Sequence, residues 1–288
     1  MIKYNPKSWV QLIFAIHKSD TLRILWKELI YMSLFTIGIA YVVITYFPEA
    51  TYLSSLTAVY SLVGFVISLL LVFRTNTAYD RWWEGRKKWG EMVNDSRNLA
   101  VKISTLQFNK EENDFFRRMI SNFTYATKEH LRRNINLDEL QLTDAERRGL
   151  AQKKHIPVEI VHLMFKHMNK LKDAGHLSEI EYLAINDNLD SLMDSLGACE
   201  RILNTPIPFS YSLFLKKFIF IYTTTLPLAF VTTFWYFSAL IATFVFYVLV
   251  SMEVLAEEIE DPFGTDDNDL PTDQLCETIR TNVNEVFS

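Results

Sequence analysis

Three long uncharged runs set the pattern of the chain: Leu29 to Phe47, Ala50 to Phe73 and Phe218 to Met252. At ~1.5 Å rise per helical residue, about 20 apolar residues cross a bilayer. The third run is too long for one crossing. Pro227, with Thr223, Thr224, Thr225, Thr232 and Thr233 around it, allows a break into two spans or one strongly kinked pair. Four membrane helices is the most economical reading. Helices of a soluble core rarely keep more than ~14 residues free of charge. The second run lies too deep to be a secretory signal and leads straight into Arg74-Thr75-Asn76-Thr77-Ala78-Tyr79-Asp80-Arg81-Trp82-Trp83-Glu84. A polar assembly therefore continues directly from a membrane span.

The middle region, from Arg74 to Leu215, predicts helix. Gly and Pro are sparse, and apolar positions recur at three-four spacing, as in Phe115, Met119, Phe123 and in Ile180, Leu183, Leu189, Leu192. Asn134 to Thr143 is a polar link, and Thr143 or Asp144 is placed to start the next helix. Pro206-Ile207-Pro208 breaks helix before the chain re-enters the apolar region. No strand pattern competes, so the expected fold is an all-α integral membrane protein. Its expected organisation is a cytosolic segment 1–28, membrane helices in 29–78, a cytosolic helical domain 79–212, membrane helices in 213–256 and an acidic cytosolic segment 257–288.

Charge gives the orientation. Lys3, Lys7, Lys18, Arg23 and Lys27 precede the first run, and only Glu49 lies between the first two. Arg74, Arg81, Arg86, Lys87 and Lys88 follow the second run, and Lys216 and Lys217 precede the third. The positive-inside rule then puts both termini and the middle region in the cytoplasm of a multi-pass cell-membrane protein. A net charge of −5 argues against nucleic acid as a partner. Cys199 and Cys276 stand far apart with no metal-type spacing, which fits a reducing compartment. The histidines are scattered, and His155 with His162 or His167 makes no metal spacing with a nearby acid. No G-x-S-x-G, H-E-x-x-H or phosphate loop is present, so no enzyme is expected. Arg81-Trp82-Trp83 fits an interfacial anchor, with Arg81 paired to an acid.

Thr57, Ser61, Phe65, Leu69 and Phe73 recur every four residues and share one face of the second helix. One end of the stripe is polar and the other apolar, with Gly64 and Ser68 beside it to permit close helix approach. The pattern fits a helix-packing face. It also fits a pore wall with a wet vestibule at Thr57 and Ser61 and apolar rings at Phe65, Leu69 and Phe73 that gate by dewetting. One span cannot enclose a pore, so the second reading demands a symmetric oligomer.

Three motifs carry a family resemblance that covers nearly the whole chain. The segment from Phe73 to Gly90 is similar to the signature of bacterial bestrophin homologues. So are Cys199-Glu200-Arg201-Ile202 with Thr205-Pro206-Ile207-Pro208-Phe209, and Ala256-Glu257-Glu258-Ile259-Glu260-Asp261-Pro262-Phe263-Gly264 with Asn268-Asp269-Leu270-Pro271. The resemblance implies a homopentameric ion channel with four membrane helices per subunit continuing into a large helical cytosolic domain. It implies a pore neck at Phe65, Leu69 and Phe73, an outer pore at Thr57 and Ser61, and a cytosolic aperture at Ile180. Permeant ions, membrane lipid and other copies of the chain are the implied partners. Chloride is the implied ion, with sodium as the alternative and a non-conducting scaffold or sensor as the reading of another class.

Glu253, Glu257, Glu258, Glu260, Asp261, Asp266, Asp267 and Asp269 crowd into one stretch that is not an EF-hand loop. In animal bestrophins the region forms a calcium clasp, whose side-chain positions map onto Glu258, Asp261, Asp266 and Asp269. Glu258 and Asp261 stand where those proteins carry amides. A divalent cation, calcium or zinc, is one occupant of this segment; salt bridges to Lys and Arg without any metal are the expected alternative, and no cofactor is required.

Overall fold

The computed structural model describes residues 21–288, so Lys3, Lys7, Lys18 and most of the 1–28 segment lie outside the described residues. Among the described residues all regular structure is helical. The chain divides into two compact units.

The first unit takes in the described residues up to Trp82, Pro206–Asp261 and Asp266–Asn268. Helix α1 (Thr21–Tyr46) begins ahead of the first uncharged run and includes Arg23, Lys27 and Glu28. A short 3-10 turn (Thr51–Ser55) leads into α2 (Leu56–Ser104), which runs unbroken out of this unit along the chain. Helices α7 (Phe209–Thr225), α8 (Pro227–Phe234) and α9 (Phe237–Glu260) complete the unit, and α1 packs along α9. Among the described residues four stretches are long and apolar enough to cross a membrane: Thr21–Tyr46, Tyr52–Ser104, Phe209–Phe234 and Phe237–Glu260.

The long third run is divided at Trp235, not at Pro227. Trp235 has φ of 52° and ends α8. Pro227 lies inside the third span as a local break between α7 and α8. Pro227 has no N–H to give the Thr223 carbonyl one turn earlier. In the turn before the proline, threonine hydroxyls bond back onto their own helix: Thr223 Oγ1 donates to the Ile219 carbonyl at 2.8 Å, Thr224 to Phe220 at 2.8 Å and Thr225 to Ile221 at 2.7 Å. Such back-bonding satisfies the hydroxyls inside an apolar stretch and favours a bend in the helix.

The second unit takes in Trp83–Thr205, Pro262–Thr265 and Asp269–Ser288. Besides the end of α2 it contains α3 (Lys110–Leu131), α4 (Asp144–Leu150), α5 (Ile156–Asp173), α6 (Glu179–Asn204) and α10 (Thr272–Val286). Helix α3 is central and packs on α5, α6 and α10. Phe116, Met119, Ile120, Phe123, Met164, Met168, Leu192, Cys276 and Val283 are fully or almost fully buried. Capping boxes start α3, α4 and α6 at Asn109 with Glu112, Thr143 with Glu146 and Ser178 with Glu181. Thr143 is thus the cap and Asp144 the first helical residue. Gly85 is closely packed: a Cβ there would lie 3.1 Å from the Phe263 ring and 3.2 Å from Pro262.

Candidate functional site

Helix α2 is held in the first unit along one narrow stripe. Ile67, Leu71, Arg74 and Ala78 are buried at three-four spacing. Ile67 and Leu71 join an apolar cluster with Leu215 and Ile219 of α7 and Leu249 of α9. Gly64 permits this approach, because the Tyr222 hydroxyl stands 2.6 Å from where a Cβ would be. Tyr222 Oη donates to the Tyr60 carbonyl at 3.2 Å and Tyr60 Oη to the Thr225 carbonyl at 3.0 Å.

The other side of α2 is open. Phe65, Leu69 and Phe73 are 67%, 44% and 56% exposed, and Thr57 and Ser61 are exposed with them. Thr57 Oγ1 reaches the Ala229 carbonyl at 3.3 Å, and Ser68 Oγ donates to the Gly64 carbonyl at 2.9 Å. An apolar strip of this length must be covered by lipid, by another subunit or by a dewetted lumen. Ile180, in the first turn of α6, is 81% exposed, and Leu183 is exposed beside it. These two leave the buried face that Leu189 and Leu192 follow.

The strip ends at a buried arginine. Arg74 is 1% exposed, with Nη2 2.7 Å from Glu260 Oε2 and Nε 3.6 Å from Glu253 Oε2. The second oxygen of Glu260 accepts the Ile207 N–H at 2.7 Å, which ties down the break at Pro206 and Pro208. Arg81 Nε donates to the Glu260 backbone carbonyl at 3.2 Å, and Trp82 Nε1 donates to the Asn268 carbonyl at 3.0 Å. Elsewhere in the acidic segment, Glu257 pairs with Lys216 and Glu258 accepts from Asn268 Nδ2 at 2.7 Å. Asp261 and Asp266 are exposed. Asp269 is buried, with its carboxylate over Gly264, 2.7 Å from that residue's Cβ position.

Electrostatics in the second unit centre on α3 and the start of α10. Lys128 is buried and pairs with Asp273 at 2.9 Å and with Glu139. Arg132 bonds Asp273 at 2.6 Å. The Arg132 hydrogen bond, against some burial, and then Lys128 hold the Asp273 carboxyl well below the usual carboxylate range. Burial pushes the Cys199 and Cys276 thiols up to about 12, so neither is a ready thiolate.

Two of the scattered histidines meet in the fold. Among the described residues, His130, His155 and Glu200 bring their ligand atoms within 4.8 Å of one another. His130 and His155 are 70 and 45 positions from Glu200 along the chain, so no sequence spacing could reveal the group.

Four apolar spans, a second helix with an unpacked apolar strip and a separate helical unit define a multi-pass helical membrane protein. The chain belongs to the bestrophin family: the Bacterial/Fungal Bestrophin protein model matches residues 1–285. A voltage-dependent anion channel-forming protein of Nostoc sp. is 34% identical, with 98% of this chain and 92% of the relative covered. The protein YneE of Escherichia coli, of the same description, is 32% identical over 98% of this chain and 93% of its own. Among solved structures, that of a bacterial bestrophin homologue from Klebsiella pneumoniae aligns with a TM-score of 0.80 at 29% identity, covering 90% of this chain and 98% of that one. The family and its relatives are channels, not enzymes.

Proposed function

We propose that this chain is one subunit of an anion channel, a ring of five, in which chloride moves along the exposed face of α2. The observation that carries this is the face itself. Thr57 and Ser61 lead to Phe65, Leu69 and Phe73, all open, while the opposite stripe of the same helix is buried. A scaffold has no use for hydroxyls in line with apolar rings. The three apolar positions form the neck, which wets or dries to gate, and Ile180 forms a second apolar ring at the cytosolic aperture. Lipid covers the outer faces. Both termini lie in the cytoplasm beneath a bacterial inner membrane, a reading supported by the Lys and Arg that flank the runs.

Arg74 and Lys216 take up Glu253, Glu260 and Glu257. Those pairings offset part of the acidic segment's pull on cations and so favour anions. Asp261 and Asp266 are exposed, and these support the sodium reading. The segment works without a metal in this account, so added calcium leaves currents and melting unchanged; the calcium set Glu258, Asp261, Asp266 and Asp269 is the alternative.

The test is a bilayer recording of purified protein under asymmetric sodium chloride, with native mass measurement of the same sample. A reversal potential near that of chloride and a mass of five subunits are expected. Reversal near that of sodium overturns the anion assignment. A silent but intact ring leaves the scaffold reading standing, and a monomer removes the ring.

A further inference from the structure

We propose that His130, His155 and Glu200 form a binding site for a divalent transition-metal ion of the zinc class. The site lies wholly in the second unit. It draws on three separate elements. His130 is in the last turn of α3, His155 is the residue capping α5, and Glu200 is near the end of α6.

The geometry is that of converging ligands. His130 Nε2 lies 2.6 Å and His155 Nε2 2.7 Å from one and the same oxygen, Glu200 Oε1. The imidazole centroids are 4.2 Å apart and inclined by 32°. Both rings therefore aim the same nitrogen at one point from one side. Two imidazoles and a carboxylate are a zinc-type donor set with a fourth position for water. Imidazole suits zinc, copper and nickel, whereas calcium and magnesium favour oxygen donors, so the set selects its ion class.

A tetrahedral ion about 2.0–2.1 Å from each donor spaces the donor atoms about 3.3 Å apart. Each histidine–glutamate contact then opens by about 0.6 Å, a distance that side-chain rotation supplies. All three residues are partly exposed, so the ion and its water have access. Without metal the trio is a hydrogen-bonded cluster; with metal it becomes a cross-link of three helical segments. Binding requires the Nε2 lone pairs, so the proton that each ring turns toward Glu200 must leave Nε2.

The test uses full-length protein in detergent, stripped with chelator and then titrated with zinc chloride or cobalt chloride. Expected are one equivalent bound per chain, a melting temperature raised by about 5 °C at saturating zinc, and the intense visible absorption of four-coordinate cobalt. His130→Gln, His155→Gln and Glu200→Gln each weaken binding at least tenfold, while His162→Gln does not. Glu200→Gln retains a hydrogen-bond acceptor, so loss of metal in a variant that still melts cooperatively separates ligation from folding. A zinc shift of equal size in all three variants overturns the proposal. So does a wild-type cobalt spectrum that stays weak and octahedral, a result that needs no variant.

Discussion

Arg74 faces two carboxylates with a single positive charge, so the cluster of Arg74, Glu253 and Glu260 holds one surplus negative charge. Glu253 is almost as buried as Arg74, at 3% exposed. Breaking a buried pair by removing one partner costs about 3–5 kcal/mol, because the other charge is left without compensation. Arg74→Gln strands two acids and is expected to cost stability in that range. Glu253→Gln removes only the surplus and is expected to cost less than about 1 kcal/mol or to stabilise. Denaturant or thermal unfolding in detergent ranks the two, and the reverse order would refute this account. Lys216 and Glu257 are both well exposed, and such pairs are worth only about 0–1 kcal/mol. At this scale the sequence marked Arg74 as the end of an apolar run but could not name its partners, which come from α9 at the far end of the chain. Arg81 was expected to pair with an acid, and one of its contacts is with the backbone carbonyl of Glu260.

Helix α10 docks on α3 through Cys276, Ile279 and Val283 beneath a polar clamp of Asp273, Lys128 and Arg132. Asp273 is in the first turn of α10, where the helix dipole also favours a negative charge. Its folded pKa is depressed from the ordinary value of 3.8. Its contribution is therefore complete above that value and is lost as pH falls below it. Burial opposes ionisation of Glu146, yet hydrogen bonds from Arg118 and Thr143 hold it below its ordinary 4.5, with the same sign. Melting temperature is expected to fall as pH drops below about 4, and Asp273→Asn is expected to flatten that slope. Circular dichroism melts across pH 3–6 check this; an unchanged slope in the variant would remove Asp273 from the clamp. Much at this scale could be read in advance. Thr143 and Asp144 show a capping pattern, and Gly64 marks a close approach. The division of the third run could not be placed, because proline was the visible breaker while the span continues past it to Trp235.

The whole subunit leaves its longest helix half-covered, and in the proposed ring the neighbouring copies supply what is missing. If Phe65, Leu69 and Phe73 form the neck, truncating each to Ala widens a dry constriction. Open probability or unitary current is then expected to rise severalfold in single-channel recordings. Unchanged currents in all three variants would move the gate elsewhere. The four spans were legible because about 20 apolar residues are a physical requirement of the bilayer. The helical middle was legible from three-four spacing. What could not be read was convergence: His130, His155 and Glu200 meet only because three helices bring them together, and the sequence records no distance between helices.

The open strip of α2 has a consequence for how such a protein is made. A pore wall rich in charge could not face acyl chains, and a newly inserted chain would have to find its partners at once. Here the strip between Ser61 and Phe73 is apolar, and the Ser68 hydroxyl is turned back onto its own helix. The face proposed to line the lumen of the ring is equally at home against lipid. A newborn subunit can therefore wait in the bilayer as a single copy, so insertion and assembly become separate events, the second governed by how many copies the membrane already holds.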